Sequence, residues 1–364
     1  MADDGARHRA VARLLLHHVE DAHHRVALPI SANAEFNLGR DQVKNALGID
    51  EGTISKHHLK FHCVTYEDDN LATVPPMVYV RVLSRRGAHF SNADSEGGSS
   101  TRLLTREGPS ILLNHGDTLH MSGKVIIEFD ALTENTDEQI VLSDTVVAEA
   151  KLFERQYTIT PRMLGAGGFA KVVLALNVKS GRQVACKMVR IPRKPPFPSS
   201  NEWDALPDQE TLEQEAAAYV AYHRKKCQDL RREFEILKGI DHPNIIRLEK
   251  AIYADSRIYI FQELLSGGDL LSYLERKGGL DEPETAVMIY QVLKAVDYLH
   301  RLSIVHRDIK PENIMLTSWR KGARIVLADF GQSRRINEDD AASRNTQTVS
   351  RMHSVVGTRG YAAP

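Results

Sequence analysis

His306-Arg307-Asp308-Ile309-Lys310-Pro311-Glu312-Asn313 places a carboxylate base, a cation and a metal-ligand amide within one short loop. A second triplet, Asp329-Phe330-Gly331, follows a short way on. Phosphoryl transfer needs these groups together and little covalent chemistry besides. Chance does not readily produce both strings in this order and at this spacing.

The rest of the composition is unexceptional. The chain has 364 residues, room for two or three domains, with 42% hydrophobic and 26% charged residues. A formal net charge of −1 gives no overall field that favours nucleic acid or an acidic membrane. Neither is expected as a partner. Cys63, Cys186 and Cys227 are odd in number, scattered and without metal-ligand spacing, which predicts a reducing compartment. Leu14-Leu15-Leu16 is too short for a signal segment and no stretch approaches a membrane span. An intracellular protein is expected, nuclear or cytoplasmic, with the nucleus preferred.

Residues 1–25 are polar and His-rich and read as a flexible arm. From 26 to 130 short β-type runs alternate with turn residues, as in Met77-Val78-Tyr79-Val80-Arg81-Val82 and Lys124-Val125-Ile126-Ile127-Glu128-Phe129. Such spacing predicts a β-sandwich. Residues 131–153 are acidic and read as a linker, partly helical. Strands resume near Tyr157, and Met288, Val292, Val296 and Leu299 then recur at helix spacing. An insertion at 191–228 opens Pro-rich, and helix formers from Gln209 to Leu237 predict one long helix.

With these residues in view, 154–364 resembles a serine/threonine protein kinase, most similar to the calmodulin-dependent-kinase group. The resemblance implies an N-lobe at 154–265, a partial C-lobe at 266–364, and ATP with Mg2+ as cofactors. Gly165, Gly167 and Gly168 stand where a glycine loop brings backbone N–H groups to phosphates, although a plain β-turn accounts for the same glycines. Ala170 replaces the pattern's third glycine. Val172 and Ala185 would line the nucleotide site, and Lys187 would contact the α and β phosphates. Its partner should be Glu233, with Glu235 as the runner-up. Backbone groups of Glu263 and Leu265 would meet the adenine edge, with Gln262 as gatekeeper. Asp269 could bond the ribose or cap a helix, and the two readings are compatible.

Within the catalytic loop the resemblance makes Asp308 the acceptor of the substrate hydroxyl proton and Lys310 the neutraliser of the transferring phosphoryl group. Asn313 and Asp329 would ligate magnesium through oxygen. His306 reads as a scaffold imidazole. Arg307 needs an anion, and a phosphate at Thr348, Ser350 or Ser354 would supply one. Thr358 is expected to hydrogen-bond Asp308 and Lys310. The family pattern continues beyond Pro364, so a fragment of an active kinase is expected, with apolar faces between Ala286 and Leu299 left partly uncovered.

Residues 26–130 resemble a forkhead-associated (FHA) domain, carried by Gly39-Arg40, Ser55-Lys56-His57-His58, Ser84-Arg85-Arg86-Gly87 and Gly116-Asp117. The resemblance implies a phosphothreonine pocket built from loops, with Arg40, Ser55 and Lys56 on the phosphate and His58 bracing from inside. Arg86 replaces a usual asparagine in that phosphopeptide site, which would change selectivity around the phosphothreonine or add phosphate affinity. The expected fold class is therefore multidomain: an all-β sandwich followed by an α+β kinase fold with an incomplete C-lobe. The layout resembles the checkpoint and meiotic kinases. It implies phosphothreonine proteins as partners, protein substrates, and a homodimer for phosphorylation in trans. The alternative is a phosphopeptide-binding adaptor with a poorly active kinase lobe.

Overall fold

The computed structural model describes residues 10–66, 74–93, 101–132, 142–166, 170–191 and 235–336, with the backbone alone at 22–24. Eleven strands come first: β1 Ala10–His18, β2 Asp21–Ser31, β3 Glu35–Gly39, β4 Leu47–Gly48, β5 Leu59–Val64, β6 Met77–Val82, β7 Ala88–Ser91, β8 Arg102–Leu104, β9 Ile111–Leu112, β10 Thr118–Met121 and β11 Val125–Ala131. They form a six-stranded sheet, β2-β1-β11-β10-β7-β8, and a five-stranded sheet, β4-β3-β5-β6-β9. Leu14, Leu119 and Ile127 of the first meet Leu38, Phe61 and Val80 of the second in one buried core. This is the sandwich that the alternating runs predict.

The expected arm at 1–25 is corrected from residue 10 onward. Ala12, Leu14 and Leu16 of β1 point into the core, while Arg13 points outward and pairs with Asp130 at 2.5 Å. The period of two is a strand's, and β1 is held between β2 and β11. The sandwich thus begins well before residue 26.

The linker needs a similar correction. Helix α1, Asp144–Ala150, sends Val146 into the same core as Phe153, Tyr157, Cys186 and Phe261. Glu149 is buried and accepts hydrogen bonds from the Ser256 amide (2.7 Å), the Ser256 hydroxyl (2.6 Å) and the Tyr259 hydroxyl (2.7 Å). Burial opposes its charge, but these bonds and Arg257 outweigh it and hold the carboxyl below its usual range. The expected N-lobe therefore starts at α1, ahead of residue 154.

Its sheet is antiparallel, with β12 Tyr157–Ala166, β13 Ala170–Asn177, β14 Gln183–Arg190, β15 Leu248–Tyr253 and β16 Arg257–Glu263 in the order β12-β13-β14-β16-β15. Helix α2, Leu270–Lys277, is capped by Asp269 and closed by Gly278 at φ 73°. Helix α3, Glu282–Arg301, is capped by Asp281 and buries Met288, Ala295 and Leu299. Val287, Ile289, Tyr290 and Leu293 on its other side are exposed among the described residues. Short strands follow: β17 Ile304–Val305, β18 Ile314–Leu316, β19 Ile325–Leu327 and β20 Arg334–Arg335. The insertion from 192 onward and the expected long helix, apart from a turn at 235–238, lie outside the described residues.

Candidate active site

The β18–β19 hairpin sets the geometry. Its register pairs Ile314 with Leu327, so Asn313 before one strand faces Ala328 after the other. The Ala328 amide donates to the Asn313 carbonyl at 2.8 Å. Asp329 is the next residue along, and an oxygen ligand therefore stands at each side of the hairpin's open end. Asn244 ties the hairpin to α3, its Nδ2 donating to Ile325 O (2.8 Å) and to Gln291 Oε1 (2.9 Å).

Asn313 is turned by Asp308. Its Nδ2 donates to the Asp308 carbonyl at 2.8 Å and to Asp308 Oδ2 at 2.9 Å, which aims the amide oxygen elsewhere. Lys310 Nζ lies 3.6 Å from the same Oδ2. Asp308, Lys310 and Asn313 thus form one cluster with Asp329 beside it. Asp329 sits at φ 55°, a left-handed conformation that costs a non-glycine residue about 1 kcal/mol. That turn directs its carboxylate to Lys187, whose Nζ donates to Oδ1 at 3.0 Å. The ammonium, against the opposing effect of burial, holds Asp329 below the ordinary carboxylate range.

His306 is buried, its Nε2 lies 3.0 Å from Ala328 O, and its ring meets Phe330 edge-on at 4.7 Å. Burial pulls its pKa down, so the neutral ring donates from Nε2. That is a scaffold's arrangement. Arg307 also has a left-handed backbone, φ 72°.

Residues 209–364 match the family model of the protein kinase domain. Over those residues the chain is similar to a protein kinase domain. Over 352 residues it is 29% identical to the meiosis-specific serine/threonine-protein kinase MEK1 of Saccharomyces cerevisiae, covering 93% of this chain and 60% of the relative. Over 345 residues it is 28% identical to the meiosis-specific kinase mek1 of Schizosaccharomyces pombe, covering 93% of this chain and 62% of the relative. The human calcium/calmodulin-dependent protein kinase type 1B is 34% identical over 208 residues, 57% of this chain and 49% of the relative. The chain spans about three-fifths of the length of the two meiotic relatives.

The protein kinase family uses ATP and Mg2+. The amide oxygen of Asn313 and the half-exposed carboxylate of Asp329 are hard oxygen donors of the kind magnesium takes. The residues present fit the group. Val172 and Ala185 are partly buried on the sheet of β12 to β16, and Leu264, in the hinge segment 263–266 that leads from β16 to α2, packs against the same buried cluster. At the hinge the Glu263 amide is committed to Arg247 O at 3.2 Å, so an adenine edge would meet its carbonyl. Asp269 caps α2, Oδ1 accepting from the Ser272 amide at 2.7 Å. Gly165 pairs with Val172 across the β12–β13 hairpin. Gly167, Gly168, Glu233, Thr348, Ser350, Ser354 and Thr358 lie outside the described residues, and Glu235 is exposed.

The sandwich collects its own set at one end. Arg40 N donates to Ser55 O at 3.0 Å and Asp41 N to Lys56 O at 3.1 Å. Gly39 permits this approach, since a Cβ there would stand 2.7 Å from Ser55 O and 2.9 Å from His58 N. His58 is buried and lies between the loops, Nδ1 accepting from Ser55 N (3.2 Å) and Nε2 bonding Gly87 O (2.8 Å). Ser55 Oγ and Ser84 Oγ are 2.7 Å apart, and Ser84 Oγ also accepts from Arg86 N at 3.1 Å. The Arg86 guanidinium donates to Thr53 O at 2.9 Å, on the same loops. Sequence reading gave Ser84 and Asn45 no role. Asn45 bonds Lys56 O at 2.7 Å and its side chain also reaches His57 at 2.8 Å. Ser84 stood within a quoted motif, whereas Asn45 had no local signal.

Proposed function

We propose that the chain is a serine/threonine protein kinase that transfers the γ-phosphate of ATP to protein hydroxyls, and that its N-terminal FHA-like sandwich recruits it to phosphothreonine proteins. The observation that carries the transfer reading is the convergence of Lys187, Asp308, Lys310, Asn313 and Asp329 from three separate elements. ATP and magnesium supply the electrophilic phosphoryl group when bound. Asp308 positions the substrate hydroxyl and holds its proton, while Lys310 stands beside it to offset the charge moving onto the transferred group. Lys187 anchors the triphosphate, and Asn313 and Asp329 would hold the metal.

Hydroxyl polarity supports the recruitment reading. Ser84 Oγ accepts from Arg86 N–H, so its own hydrogen can go to Ser55 Oγ. Ser55 is then left with an O–H to offer outward, next to Arg40 and Lys56, as a phosphate requires. A role in meiotic signalling rests on the names of the two fungal relatives. Phosphorylation within a homodimer, with Arg307 receiving an activation-segment phosphate, is part of the same reading.

Phosphate incorporation from ATP into a basic Ser-containing peptide tests the proposal. Asp308→Asn should lower the rate by about 10²–10⁴-fold. Equal rates would leave only the adaptor reading, for which phosphothreonine-peptide affinity is the measure.

A further inference from the structure

The two faces of β5 and β6 have different partners. Phe61, Cys63, Val78 and Val80 face the sandwich core. Val64, Met77 and Tyr79 instead join Leu112, Leu164, Leu174 and Trp319 in a second buried cluster that spans both domains. Val172, Ala185, Leu264 and Tyr66 pack against this cluster. Val172 and Ala185 are the apolar residues assigned to the nucleotide, and Leu264 is on the hinge.

Polar contacts follow the same seam. His62 Nε2 lies 2.7 Å from Ser266 O on the hinge, and its ring stacks on Trp319 at 5.6 Å. The Leu112 amide donates to Gln183 Oε1 at 2.8 Å, and Gln183 Nε2 returns a bond to Leu112 O at 2.8 Å. Arg162 donates to Pro76 O at 2.7 Å. A side chain added at Gly268 would stand 3.1 Å from Val64 Cγ1, so the sandwich touches the segment that leads into Asp269. Tyr66 lies near the same carboxylate: with burial as the larger cause, Asp269 helps raise the phenol's pKa.

We propose that the N-terminal sandwich is the outer wall of the nucleotide cleft, with Val64 and Tyr66 closing its adenine and ribose side, and that undocking the sandwich opens the cleft to ATP. This inference rests on the kinase reading of the same site. Apolar side chains packed beside Asp269 displace the water and polar contacts that a ribose needs. The wall is also built to come away. Arg162 is driven into the seam with its Nε lacking any hydrogen-bond partner, a buried cation incompletely satisfied. Strand β5 runs from the loop that braces Ser55 to the hinge, a length of about 20 Å. Phosphopeptide engaged at one end therefore has a continuous strand to the wall at the other, and any coupling is reciprocal.

The test uses the full chain with two seam substitutions, Gln183→Ala and Trp319→Ala, singly and combined, neither of them in the catalytic cluster. Equilibrium binding and association rate of a fluorescent ATP analogue with Mg2+ are measured beside the radius of gyration from X-ray scattering. The combined variant should expand and bind the analogue at least about fivefold more tightly, with faster association. Met77→Glu, which attacks the seam from the sandwich side, should do the same. Unchanged or weaker affinity in an expanded chain overturns the inference. So does a combined variant that stays compact and unchanged, because the named contacts would then not hold the wall. If no form, wild type included, binds the analogue, the kinase reading itself fails and takes the inference with it.

Discussion

The ammonium of Lys187 stands 3.0 Å from Oδ1 of Asp329, across 142 residues of sequence. One group comes from the kinase sheet and the other from the loop after β19. The contact therefore ties the two lobes across the place where a triphosphate would lie. The ammonium keeps the carboxylate charged, lowering its pKa against the opposing effect of burial.

Lys187→Met and Asp329→Asn should each reduce kcat/KM on a peptide substrate by about 10²–10³-fold, the cost of losing one preorganised electrostatic contact. Thermal unfolding should move little, since half of the Asp329 side chain is in solvent. Peptide kinetics within tenfold of wild type would remove this pair from the chemistry.

Glu149→Gln should destabilise the kinase lobe by about 1–3 kcal/mol, read as a lower midpoint in denaturant, because three buried donors lose a charged acceptor. The sign with pH follows from the lowered carboxyl. Its stabilisation is complete above the unfolded carboxyl's value and is lost as the pH falls through the folded one. The difference between Gln and wild type should therefore shrink in acid.

Gly39→Ala should abolish measurable phosphothreonine-peptide binding in titration calorimetry while leaving peptide phosphorylation intact. Its methyl group would meet the Ser55 and Lys56 carbonyls. Ser84→Ala should weaken the same binding about fivefold to tenfold, by the loss of one hydroxyl bond of about 1 kcal/mol or slightly more. Undiminished binding in both would place the phosphate elsewhere.

Acid should loosen the seam between the domains. Burial lowers the His62 pKa from 6.5 to about 4, with Ser266 O and Glu35 opposing the shift and Lys60 and Arg276 reinforcing it. The unfolded or undocked imidazole takes up a proton first, so stability is full above about 6.5 and declines toward 4, by at most about 1.4 kcal/mol per pH unit. His62→Gln should flatten that part of the stability profile. An identical slope in the variant would assign the effect to another group.

The catalytic cluster was legible because its residues sit in two short strings whose order carries the chemistry. The hairpin between them only has to fold back on itself. The first strand was missed for a physical reason: its outward positions carry Arg13 and His17, and these obscured the inward Ala12, Leu14 and Leu16. The seam was harder still. Val64, Met77 and Tyr79 look like ordinary core residues, and only the unbroken burial of Met77 to Val80 shows a strand covered on both sides. Nothing local to Trp319 identifies its sandwich partners, His62, Val64, Met77 and Tyr79, which lie in the other domain.

The β18–β19 hairpin answers to two masters. Its open end carries the oxygen donors, while the loop at its closed end carries Trp319 to the sandwich. Pairing register, and not the loop's own sequence, fixes the donors. A descendant of this chain could lengthen or rewrite that loop, exchanging one neighbouring module for another, and inherit its chemistry unaltered.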